Sequence, residues 1–371
     1  MDTSQLYSNW VEIDLTVIEN NTHYIRESSH VQVMAVVKAN AYGHGMVPVA
    51  RAALKGGATW CAVARLEEAL EFRQAGIDCP LLLLGYTPLE RYQEAIDNHI
   101  SVTVWDPVQI DQADRSAKSL SKQAHVHLKI DTGMGRLGVP VDRSLDLACY
   151  ITTKKNLHFE GVFTHFARAD ENDQGTSDKQ QELFEQAIHI LGIHHLKPEW
   201  IHMANSAASL KRTSQFSNLV RAGIAVYGLH PSSQCQLPPN FQPALSWKSI
   251  ISQVKVLAPG SGVSYGHKYI TKGHELIGTV PVGYADGYRR IEGNSVLVGG
   301  QAVPVIGHVC MDQIMVLLDQ IPQAKEGEVV TLIGKQDKTA ITAEKVANTW
   351  GTINYEVTCG ISARVPRIYI R

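Results

Sequence analysis

No run in this sequence approaches the ~18 consecutive apolar residues of a membrane-spanning helix. The opening residues, MDTSQLYSNW, carry neither the basic start nor the apolar stretch of a signal peptide. An excess of one charge is missing too: 34 Lys+Arg stand against 36 Asp+Glu, a formal net charge of −2. The chain therefore has none of the long-range attraction for phosphates that a nucleic-acid binder needs. Cysteine is sparse and unpaired in sequence. The six residues Cys61, Cys79, Cys149, Cys235, Cys310 and Cys359 form no CxxC. That spacing argues against a disulfide framework or a structural zinc site, and it fits a cytoplasmic location. What remains is 371 residues, 44 % of them hydrophobic, enough for a sizeable core. The length predicts two domains, or one large barrel with an appendage.

The first part of the chain repeats one pattern, a short apolar run followed by an amphipathic stretch. The runs are VQVMAVV (31–37), WCAVA (60–64), PLLLLG (80–85), ISVTV (100–104), HVHLKI (125–130), FEGVF (159–163), EWIHM (199–203) and VRAGIAVYG (220–228). They recur at intervals of roughly 27 residues, near the ~30 of a βαβ unit. Several are apolar on both faces, as strands covered on both sides must be. Eight strand-then-helix units predict a parallel (β/α)8 TIM-like barrel, with an open doubly wound sheet as the competitor. Helix-like EIDLTVIENNTHYI (12–25) precedes the first strand. From about residue 240 the pattern changes. SIISQVKVLAPG (249–260), ELIGTVPVGY (275–284), VLVGGQAVPVIG (296–307) and GEVVTLIG (327–334) are strand-like and broken by Gly and Pro. Only ITAEKVANTW (341–350) reads as a helix. The expectation is a barrel over 1–240 followed by a mainly antiparallel β domain over 241–371, the boundary lying in PSSQCQLPPNFQPA (231–244).

In a parallel barrel, catalytic groups sit past the C-terminal ends of the strands. Lys38 ends the first run and opens on ANAYGHG. A lysine that caps a strand and reaches water is the ordinary reading; desolvated at a barrel mouth, it could instead form a Schiff base. The loop DTGMGRLG (131–138) follows the fifth run. Gly133, Gly135 and Gly138 spell GxGxxG, with Glu160 about 20 residues on, which is the pattern of a dinucleotide site. Pro140 just after it, and the charges of Lys129, Asp131 and Arg136 around it, weigh against that reading. His165 stands at a strand end in THF (164–166). MANSAA (203–208) and RAGIAVYG (221–228) offer loops at the last two strands, where barrels commonly hold a phosphate with backbone amides. In the second part, Tyr265 lies in the glycine-flanked VSYGHKY (263–269); as a base it needs cationic neighbours, since an ordinary tyrosine has a pKa near ~10. The pairs His125/His127 and His194/His195 have no carboxylate or Cys at ligand spacing, so they read as solvated or structural and no metal is expected.

Taken together, AVVKANAYGHG, DTGMGRLG, THFA, ANSAA, RAGIAVYG, VSYG, VGYADGY, CMDQ and INYEV occur in the order found in bacterial alanine racemases, fold-type III pyridoxal-phosphate enzymes, which the chain resembles from about Trp10 to Arg371. The resemblance implies that Lys38 carries pyridoxal 5'-phosphate and serves as the base for D-alanine. It further implies that Tyr265, reaching in from the partner subunit, serves L-alanine, so that the enzyme is a homodimer with shared active sites. By the same resemblance Tyr42, Ser206, Gly223, Ile224 and Tyr355 hold the phosphate, and Leu84 and Asn205 line the cofactor site. Arg221 faces the pyridine nitrogen, and His165 links Arg221 to Tyr265. Arg136 and Met311 contact the substrate carboxylate, Asp312 and Tyr284 lie at the mouth of the site, and Lys129 is a carbamylation candidate that positions Arg136. The implied role is supply of D-alanine for peptidoglycan in the cytoplasm.

His308, where many relatives have arginine, and Arg168 depart from the family pattern and bear on access to the site. Related serine racemases, the soluble halves of membrane-bound resistance proteins, are expected to carry a smaller polar residue in place of Tyr355, so its retention favours alanine. The other readings are a serine or broad-specificity racemase, a non-catalytic pyridoxal-phosphate carrier, and a nucleotide-dependent oxidoreductase resting on GxGxxG.

Overall fold

A computed structural model describes residues 6–212 and 214–371. Residues 1–5 of the N-terminal segment read above lie outside the described residues. The chain divides into two compact units, one of Thr16–Ala41 and Gly45–Gln242, the other of the residues up to Leu15, Tyr42–His44 and Pro243–Arg371. Among the described residues no helix is long and apolar enough to cross a membrane.

All eight expected strands of the first unit form, as Gln32–Val36, Trp60–Val63, Leu81–Leu83, Ser101–Val104, Ala124–Asp131, Leu157–Phe163, Trp200–His202 and Leu219–Ala222. The first seven pair in parallel in sequence order, and the eighth pairs with the first through Leu219–Ala222 against Gln32–Ala35. The seventh and eighth meet through two backbone hydrogen bonds, Asn218 N–H to Ile201 O at 3.1 Å and Arg221 N–H to Ala204 O at 2.9 Å. The ring is thus nearly closed, and the barrel prevails over the open sheet. Strands such as WCAV and SVTV are buried at every position, as parallel strands walled by helices must be. The eighth apolar run does not stay extended over 220–228. It stops at Ala222, Gly223 turns to φ −109°, ψ −95°, and Ile224–Tyr227 coil into a 3-10 turn.

The segment read as a helix over 12–25 divides into a strand, Asn9–Asp14, and a helix, Leu15–Ser29. The strand pairs antiparallel with Leu245–Ile250 and parallel with Arg367–Ile370. Trp10, Val11 and Ile13 go to the core through partners far away in sequence, which local periodicity cannot reveal.

The second unit is built on a mainly antiparallel sheet. Its strands lie in the order Gln253–Leu257, Glu275–Val280, Ile314–Leu317, Gln301–Ile306, Ser295–Val298, Val329–Gln336, Leu245–Ile250, Asn9–Asp14 and Arg367–Ile370. Trp247, Tyr288 and Trp350 pack edge to face, with centroids 5.9 and 5.8 Å apart. The expected helix forms over Ala343–Trp350, capped by Thr342, whose Oγ1 accepts from Lys345 N–H. A second helix, Asn354–Cys359, takes up the INYEV motif, too short a segment for its apolar period to announce it.

Candidate active site

The first barrel strand delivers Val37 and then Lys38, which is half-buried. The backbone next enters a left-handed turn. Ala39, Asn40, Ala41 and Tyr42 all have φ between 51° and 54°, a conformation that disfavours L-residues. Two side chains hold it in place: Glu68 Oε1 accepts from Ala39 N–H at 2.6 Å, and Asn40 Oδ1 accepts from Met46 N–H at 2.9 Å. The lysine is thereby anchored on its own strand end rather than left on a free loop.

Around the barrel's C-terminal end stand other cations. Lys129, on the fifth strand, is buried, with its ammonium 5.0 Å from the centre of the Phe163 ring. Burial, then Arg221 and Arg136, pull it down to about 7, against the opposing pull of Asp131. Arg221, on the eighth strand, is 3 % exposed and lies 5.2 Å from the same ring. Its Nη2 donates to Thr164 O at 2.7 Å, His165 Nδ1 at 3.0 Å and Met203 O at 3.1 Å. Its Nη1 donates to His202 Nδ1 at 2.8 Å and His202 O at 3.0 Å. Burial and Arg136 lower it to about 9, and it stays charged at neutral pH. Burial, then Arg221, Lys129, Arg136 and Lys38, push His165 well below its ordinary value, so its ring is neutral. A guanidinium can only donate, so Nδ1 of His165 must be bare and its proton sits on Nε2.

At the last two strands, Asn205 caps the helix Ser206–Lys211, its Oδ1 accepting from Ala208 N–H at 3.0 Å. Ser206 Oγ accepts from the N–H groups of Gly223, at 2.9 Å, and Ala225, at 3.3 Å, and so ties the seventh loop to the turn that begins at Ile224. Leu84 follows the third strand directly and is half-buried.

The glycine loop 131–138 is not a phosphate cradle. Asp131 Oδ1 accepts from the N–H groups of Gly133 and Met134 at 2.9 Å, and both its carboxylate oxygens accept from Gly135 N–H. The donors a pyrophosphate needs are already bound to an anion. Glu160, cast as the ribose acid in that reading, instead lies inside the barrel against His125 and His127. The loop's product is Arg136, exposed at its tip.

In the second unit, three loops are stitched together. Tyr284 N–H donates to Cys310 O and Ala285 N–H to Met311 O, both at 3.0 Å. Gly283 is obligatory there, since a Cβ would stand 2.2 Å from Met311 O. Ser264, at φ 64°, donates to His308 O at 2.6 Å and aims the next residue outward. Tyr265 is 70 % exposed, Met311 53 % and Tyr284 45 %. Arg364 grips Asp286 and Asp312 at 2.6 Å each. Elsewhere in this unit Tyr42 and Tyr355 face each other, centroids 5.9 Å apart, and burial, then Cys359, raises the Tyr42 hydroxyl. The two family departures are also placed. Arg168 is paired with Glu171, and His308 lends its carbonyl to Ser264.

The structure thus gathers Lys38, Lys129, Arg136, His165 and Arg221 in the first unit, and Tyr265, Tyr284, Met311 and Asp312 in the second. Sequence reasoning leaves out His202, which touches Arg221, and reads His127 as solvated or structural; it is fully buried and touches His202 at 3.0 Å. One signal was available: His127 and Lys129 are two apart on a strand and so share a face.

Family models for the alanine racemase N-terminal and C-terminal domains match residues 13–231 and 244–369. Alanine racemase of Halalkalibacterium halodurans is 45 % identical over 98 % of this chain and 95 % of its own length. Alanine racemase 1 of Bacillus subtilis is 42 % identical over 100 % and 95 %. Among solved structures, the alanine racemase of Bacillus anthracis with bound L-Ala-P superposes with a TM-score of 0.92 at 43 % identity, covering 98 % of this chain and 95 % of that one. That of Clostridium difficile 630 does so with a TM-score of 0.94 at 40 % identity, over 98 % and 96 %. Fold, motif order and full-length similarity converge, and the chain belongs to the alanine racemase family.

Proposed function

We propose that this protein interconverts L- and D-alanine with pyridoxal 5'-phosphate, by a two-base mechanism in a cytoplasmic homodimer, and so supplies D-alanine for peptidoglycan. The observation that carries the reading is the cation cluster opposite Lys38. Arg221 and Arg136 lower Lys129 against the pull of Asp131, and Arg136 lowers Arg221. Such a site is electrostatically incomplete and calls for an anion. A phosphorylated aldehyde fits it: Lys38 offers a primary amine, Ser206 a hydroxyl, and Gly223 and Ile224 lie in the turn beside that hydroxyl. Tyr42, Tyr355, Leu84 and Asn205 complete the proposed cofactor contacts.

When bound, the cofactor supplies the electron sink that makes the substrate Cα proton labile. Lys38 removes or returns that proton on the face belonging to D-alanine. Tyr265 of the partner subunit does so on the other face; its exposure, with that of Met311 and Tyr284, supports a surface built to enter a second copy's site. Arg221 would face the pyridine nitrogen and, as a guanidinium that keeps its proton, would leave the ring a weaker sink and disfavour side reactions. His165, neutral and protonated on Nε2, passes the hydrogen-bond chain from Arg221 towards Tyr265. Arg136 and Met311 hold the substrate carboxylate, Lys129 positions Arg136, and Asp312 and Tyr284 border the mouth.

The decisive experiment follows the circular dichroism of L-alanine and of L-serine with the purified protein and pyridoxal phosphate. Fast decay with alanine and slow decay with serine is the expected result. Equal rates support a broad-specificity racemase instead. Cofactor absorbance with no decay of either supports a non-catalytic carrier, and no absorbance overturns the assignment of Lys38.

A further inference from the structure

Beneath the proposed site a file of polar side chains runs through the apolar barrel core. His202 Nδ1 accepts from Arg221 at 2.8 Å, His202 Nε2 meets His127 Nδ1 at 3.0 Å, and His127 Nε2 meets Glu160 Oε2 at 3.0 Å. Ser101 Oγ donates to the same carboxylate oxygen at 2.6 Å, and His125 Nδ1 lies 2.7 Å from the other. His127 and His202 are fully buried, and Glu160 is 8 % exposed. A β-bulge between Val126 and His127, and a glycine at 161, make room: a Cβ at Gly161 would stand 2.3 Å from His127 Nδ1.

The polarity of this file is dictated at both ends. A guanidinium only donates, so Nδ1 of His202 is bare and its proton sits on Nε2. That proton occupies Nδ1 of His127, whose own proton must also lie on Nε2. A carboxylate only accepts, which closes the series. Burial, then Arg221, hold His202 well below its ordinary value, and burial lowers His127 despite Glu160, so both rings are neutral. Burial of Glu160 opposes its ionisation, but His125 and His127 outweigh it and hold the carboxyl below the usual range. The other hydrogen-bond partners of Arg221 are three carbonyls and the neutral His165, none of them an anion. Its positive charge is therefore answered along the file, through rings that polarise one another.

We propose that His202, His127 and Glu160 form a one-way hydrogen-bond relay that holds Arg221 charged and correctly aimed, and that Glu160, three hydrogen bonds away, is a positioning residue for the reaction. The relay's catalytic meaning rests on the function proposed above; its hydrogen-bond polarity does not. The test begins with 15N NMR of histidine in the wild-type holoenzyme between pH 6.5 and 8.5. Both His127 and His202 are expected as neutral rings protonated on Nε2. An imidazolium, or a proton on Nδ1 of either, overturns the relay, whether or not the enzyme racemises alanine. Glu160→Gln keeps the shape and an acceptor oxygen but removes the charge. It is expected to lower kcat about tenfold with KM within about twofold, within the range of couplings carried by packed networks, and to shift the His202 Nδ1 resonance. Unchanged kcat, or a loss confined to KM, overturns the positioning role. If the variant does not fold, the wild-type tautomers still decide the relay. A wild-type protein without racemase activity refutes the function proposed above and leaves the tautomer result standing.

Discussion

Lys129 joins geometry to chemistry at the level of one side chain. Burial and two arginines bring its ammonium down to about 7, so an appreciable part is neutral amine at physiological pH. Neutral amine is the form that attacks carbon dioxide, releasing a proton, and the resulting carbamate would place an anion beside Arg136 and Arg221. With 13C-labelled bicarbonate, the protein should show a carbamate resonance that Lys129→Ala abolishes; a spectrum without it refutes the modification. Unmodified Lys129 also sets a pH dependence. Its folded pKa lies below the unfolded value, so the charged form is disfavoured in the fold. The penalty is complete below about pH 7 and fades as the pH rises towards that of a free lysine. Lys129→Met should therefore raise the melting temperature at pH 7 in CO2-free buffer by a few degrees, about 1 kcal/mol being worth roughly 2–4 °C. That gain should shrink by pH 10, and a constant gain would place the effect in packing instead. Tyr355, half-buried beside Tyr42, is the residue to which the proposed preference for alanine over serine is assigned. Tyr355→Asn should raise kcat/KM for serine relative to alanine by about tenfold, the scale of one or two methylenes of space. Racemisation assays with both amino acids check this, and unchanged relative efficiencies refute the steric account.

At the scale of elements, the left-handed turn after Lys38 is the most telling feature. Four non-glycine residues share a conformation that costs roughly 1–2 kcal/mol each, and Glu68 and Asn40 hold it. Ala39 is exposed, so replacing it with glycine removes the Cβ conflict without opening a cavity. Ala39→Gly should stabilise the protein by about 0.5–1 kcal/mol in urea denaturation; destabilisation would mean that the backbone there is not strained. The eight barrel strands were legible because each is a compact apolar run followed by an amphipathic helix. The strand Asn9–Asp14 was not, because WVEID satisfies a helical period as readily as an alternating one, and only its pairing with Leu245–Ile250 decides. The glycine loop 131–138 misleads for a related reason. Its spacing permits a phosphate cradle, but Asp131 folds back and occupies the amides.

For the whole molecule, the proposed division of two bases between two chains has a sharp consequence. Lys38→Ala and Tyr265→Phe should each be nearly inactive alone, general acid–base groups being worth about 10²–10⁴-fold. Unfolded together and refolded, they should recover about a quarter of wild-type activity, because half the dimers are mixed and each mixed dimer keeps one intact site. No recovery would mean that Lys38 and Tyr265 of the same chain work together.

By itself the sequence determined the barrel, the antiparallel-rich sheet that accompanies it, and the order of motifs that mark the family. These are written in local periodicity and in short strings of adjacent residues. Only the tertiary structure decided which charges meet. His127 looked unpartnered because its carboxylate, Glu160, stands 33 residues downstream on the next strand. The nitrogens of His202 are committed by Arg221, 19 residues away, and by His127, 75 residues away. The nearly closed ring of strands brings such residues to about 3 Å of each other, His127 and His202 across an intervening strand, and no spacing rule along the chain encodes that distance.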